Sequence, residues 1–339
     1  MKIILLFDWK LTDETGNWLQ KGLENNRYTT KLIGIPNYNE KERTSKFGMI
    51  ILWFKYLILA IKGIKNSEAN DIIISWNFVA GAIVGYLCEI FKYDRKVISL
   101  NMIAHQKDFL NNILRKQIYN KAFRYKSFWF SVNDEQLITY YSSLFTTDPK
   151  RIFLLHDVYS NRYEKCNFSE YDDYVFTGGE AFRDWSNFIK CAENFPEIQF
   201  IGVARYMNFP HTEKLPKNLK MYYDISEDEF YSFVKKCRIV FLPLTSQAPC
   251  GLIVILRAAL LSKPVIITET PSTKNYISNE YSGILVKMYD LSMMENSIKK
   301  LYYSEDLRKL YAENLKEYIL KNYSSERNIK IIEEIIQTR

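Results

Sequence analysis

The stretch "IVFLPLTSQAPCGLIVILRAALLSKPVIIT", Ile239 to Thr268, decides the fold. It reads as an apolar strand at Ile239 to Leu242, a small-residue turn through Pro249-Cys250-Gly251 and a helical apolar run from Leu252 to Leu261. Lys263-Pro264 then opens a second strand at Val265 to Thr268. Two short, unbroken apolar strands joined through a helix make a βαβ crossover, whose strands lie parallel and are covered on both faces. Arg257 stands in the middle of the helical run, where a charge needs a reason.

Working outward, the same alternation extends along the chain. Strands read at Lys2 to Phe7, Thr30 to Ile35, Asp71 to Ser75, Lys96 to Leu100, Phe128 to Val132 and Arg151 to Leu155, with helical patterns between most of them. After a polar stretch near Ser160 to Asp172 the pattern restarts. It gives a strand at Tyr174 to Thr177, a helix at Asp184 to Asn194, strands at Gln199 to Val203 and Leu219 to Tyr222, and a helix at Ser226 to Lys236. The quoted unit and a strand at Gly283 to Val286 follow. Strands alternating with helices specify an α/β fold, and the restart specifies two Rossmann-like, doubly wound parallel sheets facing a central cleft. The expected domains are 1–165 and 172–315, followed by C-terminal helices over 316–339 that pack back on the first domain.

Composition agrees with two fully folded domains. The 339 residues are 47% hydrophobic and 25% charged, which excludes a disordered chain. Five cysteines are scattered without a C-x-x-C pair, so neither a disulfide framework nor a zinc site is indicated and a reducing, cytoplasmic setting fits. The opening "MKIILLFDWK" is cut by Asp8 and reads as a first strand, too short for a signal peptide.

The longest apolar run, Phe47 to Lys65, is interrupted by Lys55 and Lys62, which share one face of a helix. Two readings fit: a domain helix with a solvated lysine edge, or a helix resting on a membrane surface. Charge is unevenly placed. Residues 1–168 hold 24 Lys and Arg against 16 Asp and Glu, whereas residues 169–339 hold 22 against 23. Part of the surplus is "NNILRKQIYNKAFRYKSFWFSVN", Asn111 to Asn133, which is basic and aromatic and has no acid. Such a segment suits peripheral contact with anionic lipid at the inner face of a cell membrane. Nucleic acid is disfavoured because no reading module is recognisable.

For the ligand, exclusions come first. The twelve glycines never form G-x-G and no G-K-S/T occurs, so dinucleotide and Walker-type sites lack their signatures. No D-x-D is present to hold a metal-bound diphosphate, and the three histidines are far apart in sequence, so no metal or cofactor is expected. A diphosphate would then be held by backbone N–H groups and cations. Two places supply them: the turn Gly178-Gly179 with Arg183, and the helix start at Pro249-Cys250-Gly251. Each also reads as an ordinary β-to-α turn.

Taken in order, "NLKMYYDISEDEFYSFVKKCRIVFLPL" (Asn218 to Leu244) and "LSKPVIITETPSTKNYISNEYSGILV" (Leu261 to Val286) resemble the donor-binding lobe of GT-B glycosyltransferases, specifically the retaining family four. "DIIISWNFVAGAIVGYLCEIFKYDRKVISLNMIAH" (Asp71 to His105) stands in the expected order in the first lobe. The resemblance implies a GT-B architecture. It also implies transfer of a sugar from a nucleotide diphosphate sugar, such as a UDP-sugar, to a glycan or lipid-linked acceptor, with retention and without metal, in surface polysaccharide synthesis. Carried over residue by residue, Gly178, Gly179 and Arg183 match the diphosphate loop, with Arg205 a second cation after the next strand. Ser246, Gln247, Cys250, Gly251 and Leu252 match the loop that holds donor sugar and phosphates. Gly16 and Asn17 occupy the place of the loop after the first strand. His105 follows the strand where the family often has a residue beside the reacting sugar, which makes His105 and Arg183 the catalytic candidates.

Departures from the family are specific. Its two glutamates fall at Pro249 and Arg257, and arginine has no acceptor for ribose hydroxyls. Glu180 places a carboxylate inside the diphosphate loop. Two functions therefore stand side by side: an active transferase in which Arg257 contacts the donor, and a catalytically degenerate GT-B subunit that binds a nucleotide or partner.

Overall fold

The computed structural model describes residues 1–11, 18–35, 46–102, 113–159, 168, 172–179, 182–211 and 214–338. The chain forms two units, Met1–His156 with Ser325–Arg339, and Asp157–Ser324.

In the first unit β1 (Lys2–Leu6), β2 (Thr29–Ile33), β3 (Ile72–Ser75), β4 (Lys96–Ser99), β5 (Phe128–Val132) and β6 (Ile152–Leu154) form one sheet. Its order is β2-β1-β3-β4-β5-β6, and the strands run parallel. The strands are short apolar runs because both faces are covered. On one face lie α2 (Lys46–Lys65), α3 (Phe78–Phe91), α4 (Ile113–Arg124) and α5 (Glu135–Phe145), whose Leu52, Tyr56, Val84 and Phe123 pack with Ile4, Leu6 and Phe130. On the other lie α1 (Trp18–Asn25) and the last helix, α11 (Ser325–Gln337). There Leu19, Leu23, Ile329, Ile332 and Ile336 join Ile3, Leu5 and Ile98. The Lys96 ammonium donates to the Ile335, Ile336 and Thr338 carbonyls, closing the end of α11.

The second unit holds β7 (Tyr174–Gly178), α6 (Trp185–Asn194), β8 (Gln199–Ala204), β9 (Leu219–Tyr223), α7 (Glu227–Lys236), β10 (Ile239–Leu242) and α8 (Leu252–Leu260). β11 (Val265–Thr268), β12 (Ile284–Val286), α9 (Leu291–Tyr302) and α10 (Glu305–Asn322) complete it. Its strand order is β12-β11-β10-β7-β8-β9, again parallel. α7, α8 and α10 cover one face; α6 and α9 cover the other.

The seam between units differs from the expected boundaries at 165 and 316. Glu305–Asn322 is one continuous helix whose Leu315 and Ile319 are buried with Tyr276 and Tyr323 in the second unit. A helix cannot be divided between cores while its apolar face is committed to one of them, so the return to the first unit begins at Ser325.

Candidate functional site

In the second sheet β7 stands between β10 and β8, so the chain order reverses between β7 and β10. β7 leads into α6 on one face and β10 into α8 on the other, which opens a crevice at the carboxyl ends of the two strands. The two loops that leave them are joined. The Asp184 N–H donates to the Pro243 carbonyl (2.9 Å) and the Thr245 N–H to the Phe182 carbonyl (3.0 Å), and Arg183 bridges Leu244 in antiparallel fashion. The Leu244 N–H in turn donates to Thr268 Oγ1 at 2.8 Å, tying the loop to the end of β11.

Glycine is required at two points of this arrangement. Gly179 has φ +135°, and a Cβ there would lie 2.4 Å from Arg183 Nη2. Gly251, φ +79°, heads α8, and a Cβ there would lie 3.8 Å from the same atom. The guanidinium thus sits beside two backbone positions that carry no side chain. Arg183 is 7% exposed, and its Nε donates to the Gly178 carbonyl at 2.9 Å. Burial pulls its pKa down to about 10, with Cys250 opposing the shift, and it stays charged at neutral pH. The Cys250 thiol is held above its ordinary value by burial, against the pull of Arg183. A cation kept from water by the fold gains when an anion docks beside it. No side chain caps α8 at Gly251, so the partial positive charge of its first turn adds to that of the guanidinium.

The other predicted residues fall around this centre. β8 is the neighbour of β7, and Arg205 follows its last residue, half-buried, at the head of a short 3-10 turn (Tyr206–Asn208). Ser246 Oγ accepts from the Ala248 N–H at 3.1 Å, which shapes the loop, and Gln247 is exposed within it. Leu252 is buried as the first residue of α8. Arg257 has a partner that the sequence did not indicate: its guanidinium pairs with Glu227 in the first turn of α7 and lies 5.5 Å from the centre of the Phe230 ring. It clamps α7 to α8, and Phe230 in turn backs Gly178. Gly16, Asn17, His105 and Glu180 lie outside the described residues. Among the described residues no group of three or more His, Cys, Asp or Glu is placed to hold a metal.

Two features escaped the sequence reading. Thr268, Thr270 and Thr273 form a buried hydroxyl cluster under the loop after β11, in which the Thr270 N–H donates to Thr273 Oγ1 at 2.8 Å. The run "TETPST" was its signal. In the first sheet the order reverses between β1 and β3, and there Asn77 Nδ2 donates to Asp8 Oδ2 at 2.9 Å. Trp9 and Trp18 stand edge-on to Trp76 at ring separations of 5.6 and 5.9 Å, all three half-buried beside that pair.

Residues 203–318, which include the loop after β10 and all of α8, match the family described as Glycosyl transferases group 1. A stretch of 132 residues is 30% identical to an uncharacterized glycosyltransferase of Methanocaldococcus jannaschii, covering 38% of this chain and 35% of that protein, so about a third of the relative's length is spanned. Among solved structures, that of Anabaena HepE in complex with UDP and glucose superposes with a TM-score of 0.69 at 13% identity, covering 98% of this chain and 99% of that one. The protein has the GT-B fold. Other GT-B likenesses are a sucrose-phosphate synthase from Thermosynechococcus elongatus (TM-score 0.72, 11% identity, 99% and 98% covered) and a glycosyltransferase from Rickettsia africae (0.72, 13%, 100% and 99%). In this GT-B chain the group 1 match ends within α10, inside the second unit.

Proposed function

We propose that the protein transfers a sugar from a nucleoside diphosphate sugar to an acceptor hydroxyl, with retention at the anomeric carbon. The observation that carries this reading is Arg183, buried beside Gly179 and Gly251 at the switch point of the unit that matches group 1 glycosyl transferases. When the bond from the anomeric carbon to the diphosphate breaks, the electron pair leaves with the diphosphate and the sugar passes through an oxocarbenium-like state. Arg183 and the first amides of α8 meet that developing charge, so the chemistry runs without a metal. The acceptor oxygen bonds to the anomeric carbon, and its proton departs on the diphosphate.

UDP is the nucleotide tested first, because HepE was solved with it. The acceptor is a glycan or lipid-linked glycan precursor of a bacterial surface polysaccharide, met at the cytoplasmic face of the membrane. Its sugar fits the end of the first sheet, where tryptophan faces and the Asp8 carboxylate match sugar C–H and O–H groups.

A second reading, a degenerate GT-B subunit that binds a nucleotide without turnover, draws on Arg257, which stands at the resembled family's glutamate position and is engaged by Glu227. One experiment separates them: incubation with a panel of nucleotide-sugars, reading thermal stabilisation and nucleotide release. Stabilisation with release on a glycan acceptor supports transfer. Stabilisation with no release on any acceptor moves the protein to the second reading, and the absence of both effects overturns the two together.

A further inference from the structure

α2 buries Leu52, Tyr56, Leu59 and Ala60 against the first sheet and α3. Its opposite side is apolar as well. Phe47, Ile50, Phe54, Ile58 and Ile61 are 73, 55, 63, 53 and 38% exposed, and their spacing of three and four residues aligns them in one stripe over four turns. Single exposed apolar residues are ordinary; a continuous stripe of five large ones marks an interaction surface. Beside the stripe runs a groove of about 560 Å³ between α2, α3 and α4, lined by Trp53, Phe54, Leu57, Tyr86 and Ile118, so the apolar surface continues across three helices.

Charge says what covers it. α2 and α4 contain no acid, and their basic residues Lys62, Lys65, Lys116, Lys121 and Arg124 are exposed. Arg115 lies at the rim of the groove, 5.4 Å from the centre of the Trp53 ring. The single acid of α3, Glu89, is paired with Lys92. A second copy docked on this face about a two-fold axis would set cations against cations. The helix is long and apolar enough to cross a membrane, but Leu52, Tyr56, Leu59 and Ala60 are committed to the core of the unit, so it lies along the fold.

We propose that this face docks on an anionic phospholipid bilayer. The stripe from Phe47 to Ile61 enters the acyl boundary, the cations of α2 and α4 meet the headgroup phosphates, and Trp53 sits at interfacial depth. The inference goes beyond the transferase reading and stands without it, because lipid binding is measured with no donor or acceptor present.

The test is flotation of the full chain with vesicles of phosphatidylcholine alone or with phosphatidylglycerol. Binding should require the anionic lipid, weaken with added salt, and fall at least about tenfold in a Phe54→Glu/Ile58→Glu variant whose thermal unfolding is unchanged. Vesicles with brominated acyl chains should quench tryptophan emission in the native chain and quench a Trp53→Phe chain less, a readout independent of whether the double variant folds. Equal binding to both vesicle types, undiminished binding by a folded double variant, or quenching unaltered by Trp53→Phe would overturn the proposal. So would a self-associating chain that ignores vesicles and becomes monomeric in the double variant, which would make a second copy the occupant.

Discussion

The two sheets share a parallel, doubly wound plan and differ in what stands where each reverses its order. At the reversal of the second sheet, between β7 and β10, are two glycines with positive φ and a buried guanidinium bonded to a main-chain carbonyl. At the reversal of the first, between β1 and β3, are a carboxylate, an amide and three tryptophans. On the function proposed above, the same backbone architecture would meet the anionic diphosphate at one end and an uncharged polyol at the other. Topology fixes where a ligand can sit, and side chains fix which ligand it is. Arg257 sharpens the contrast within the second unit. Its guanidinium is paired with the Glu227 carboxylate on the neighbouring helix, while Arg183 Nε donates to the main-chain carbonyl of Gly178 at the switch point itself.

The comparison breaks most readily at Arg183. Arg183→Ala should weaken UDP binding by about 1.5 to 3 kcal/mol, as titration calorimetry would read it; native affinity in that variant would remove the guanidinium from the site. Next comes Gly179→Ala, which puts a side chain at φ +135° and presses on Arg183 Nη2. A loss of about 2 kcal/mol in denaturant stability is expected, and unchanged stability would show that the turn relaxes freely. At the other reversal, Asp8→Asn should lower transfer to a glycan acceptor about tenfold while leaving UDP affinity unaltered, a split between acceptor and donor that kinetics with saturating nucleotide-sugar would reveal. If donor affinity falls as well, the two ends do not divide the labour. The smallest effect belongs to Arg257→Ala. Its pair with the half-exposed Glu227 contributes only about 0.5 kcal/mol to stability, and UDP affinity should hold. A large loss of nucleotide binding there would return Arg257 to the donor site.

Much of the fold was legible because buried parallel strands are unbroken apolar runs. Phe128–Val132, Ile239–Leu242 and Val265–Thr268 occupy the residues that the sequence assigns to them. The meeting of Arg183 with the Gly178-Gly179 turn was legible too, since the three lie within one short segment. What escaped depends on distance along the chain. The partner of Arg257 is 30 positions away, and the residues gathered around Asp8 and Trp76 come from separate strands and helices. The exposed side of α2 was hidden for another reason. The helix is apolar nearly all round, so its pattern names no inner face, and only packing shows which residues stay outside.

The return of α11 sets an order on assembly. Ile329, Ile332 and Ile336 fill the face of the first sheet that also receives α1, yet residues 157–324 must leave the ribosome before they do. The unit begun first is completed last. During synthesis its Ile3, Leu5 and Ile98 surface has α1 over it but lacks α11 while the second unit is made, so this stage is where a nascent chain is most exposed to aggregation.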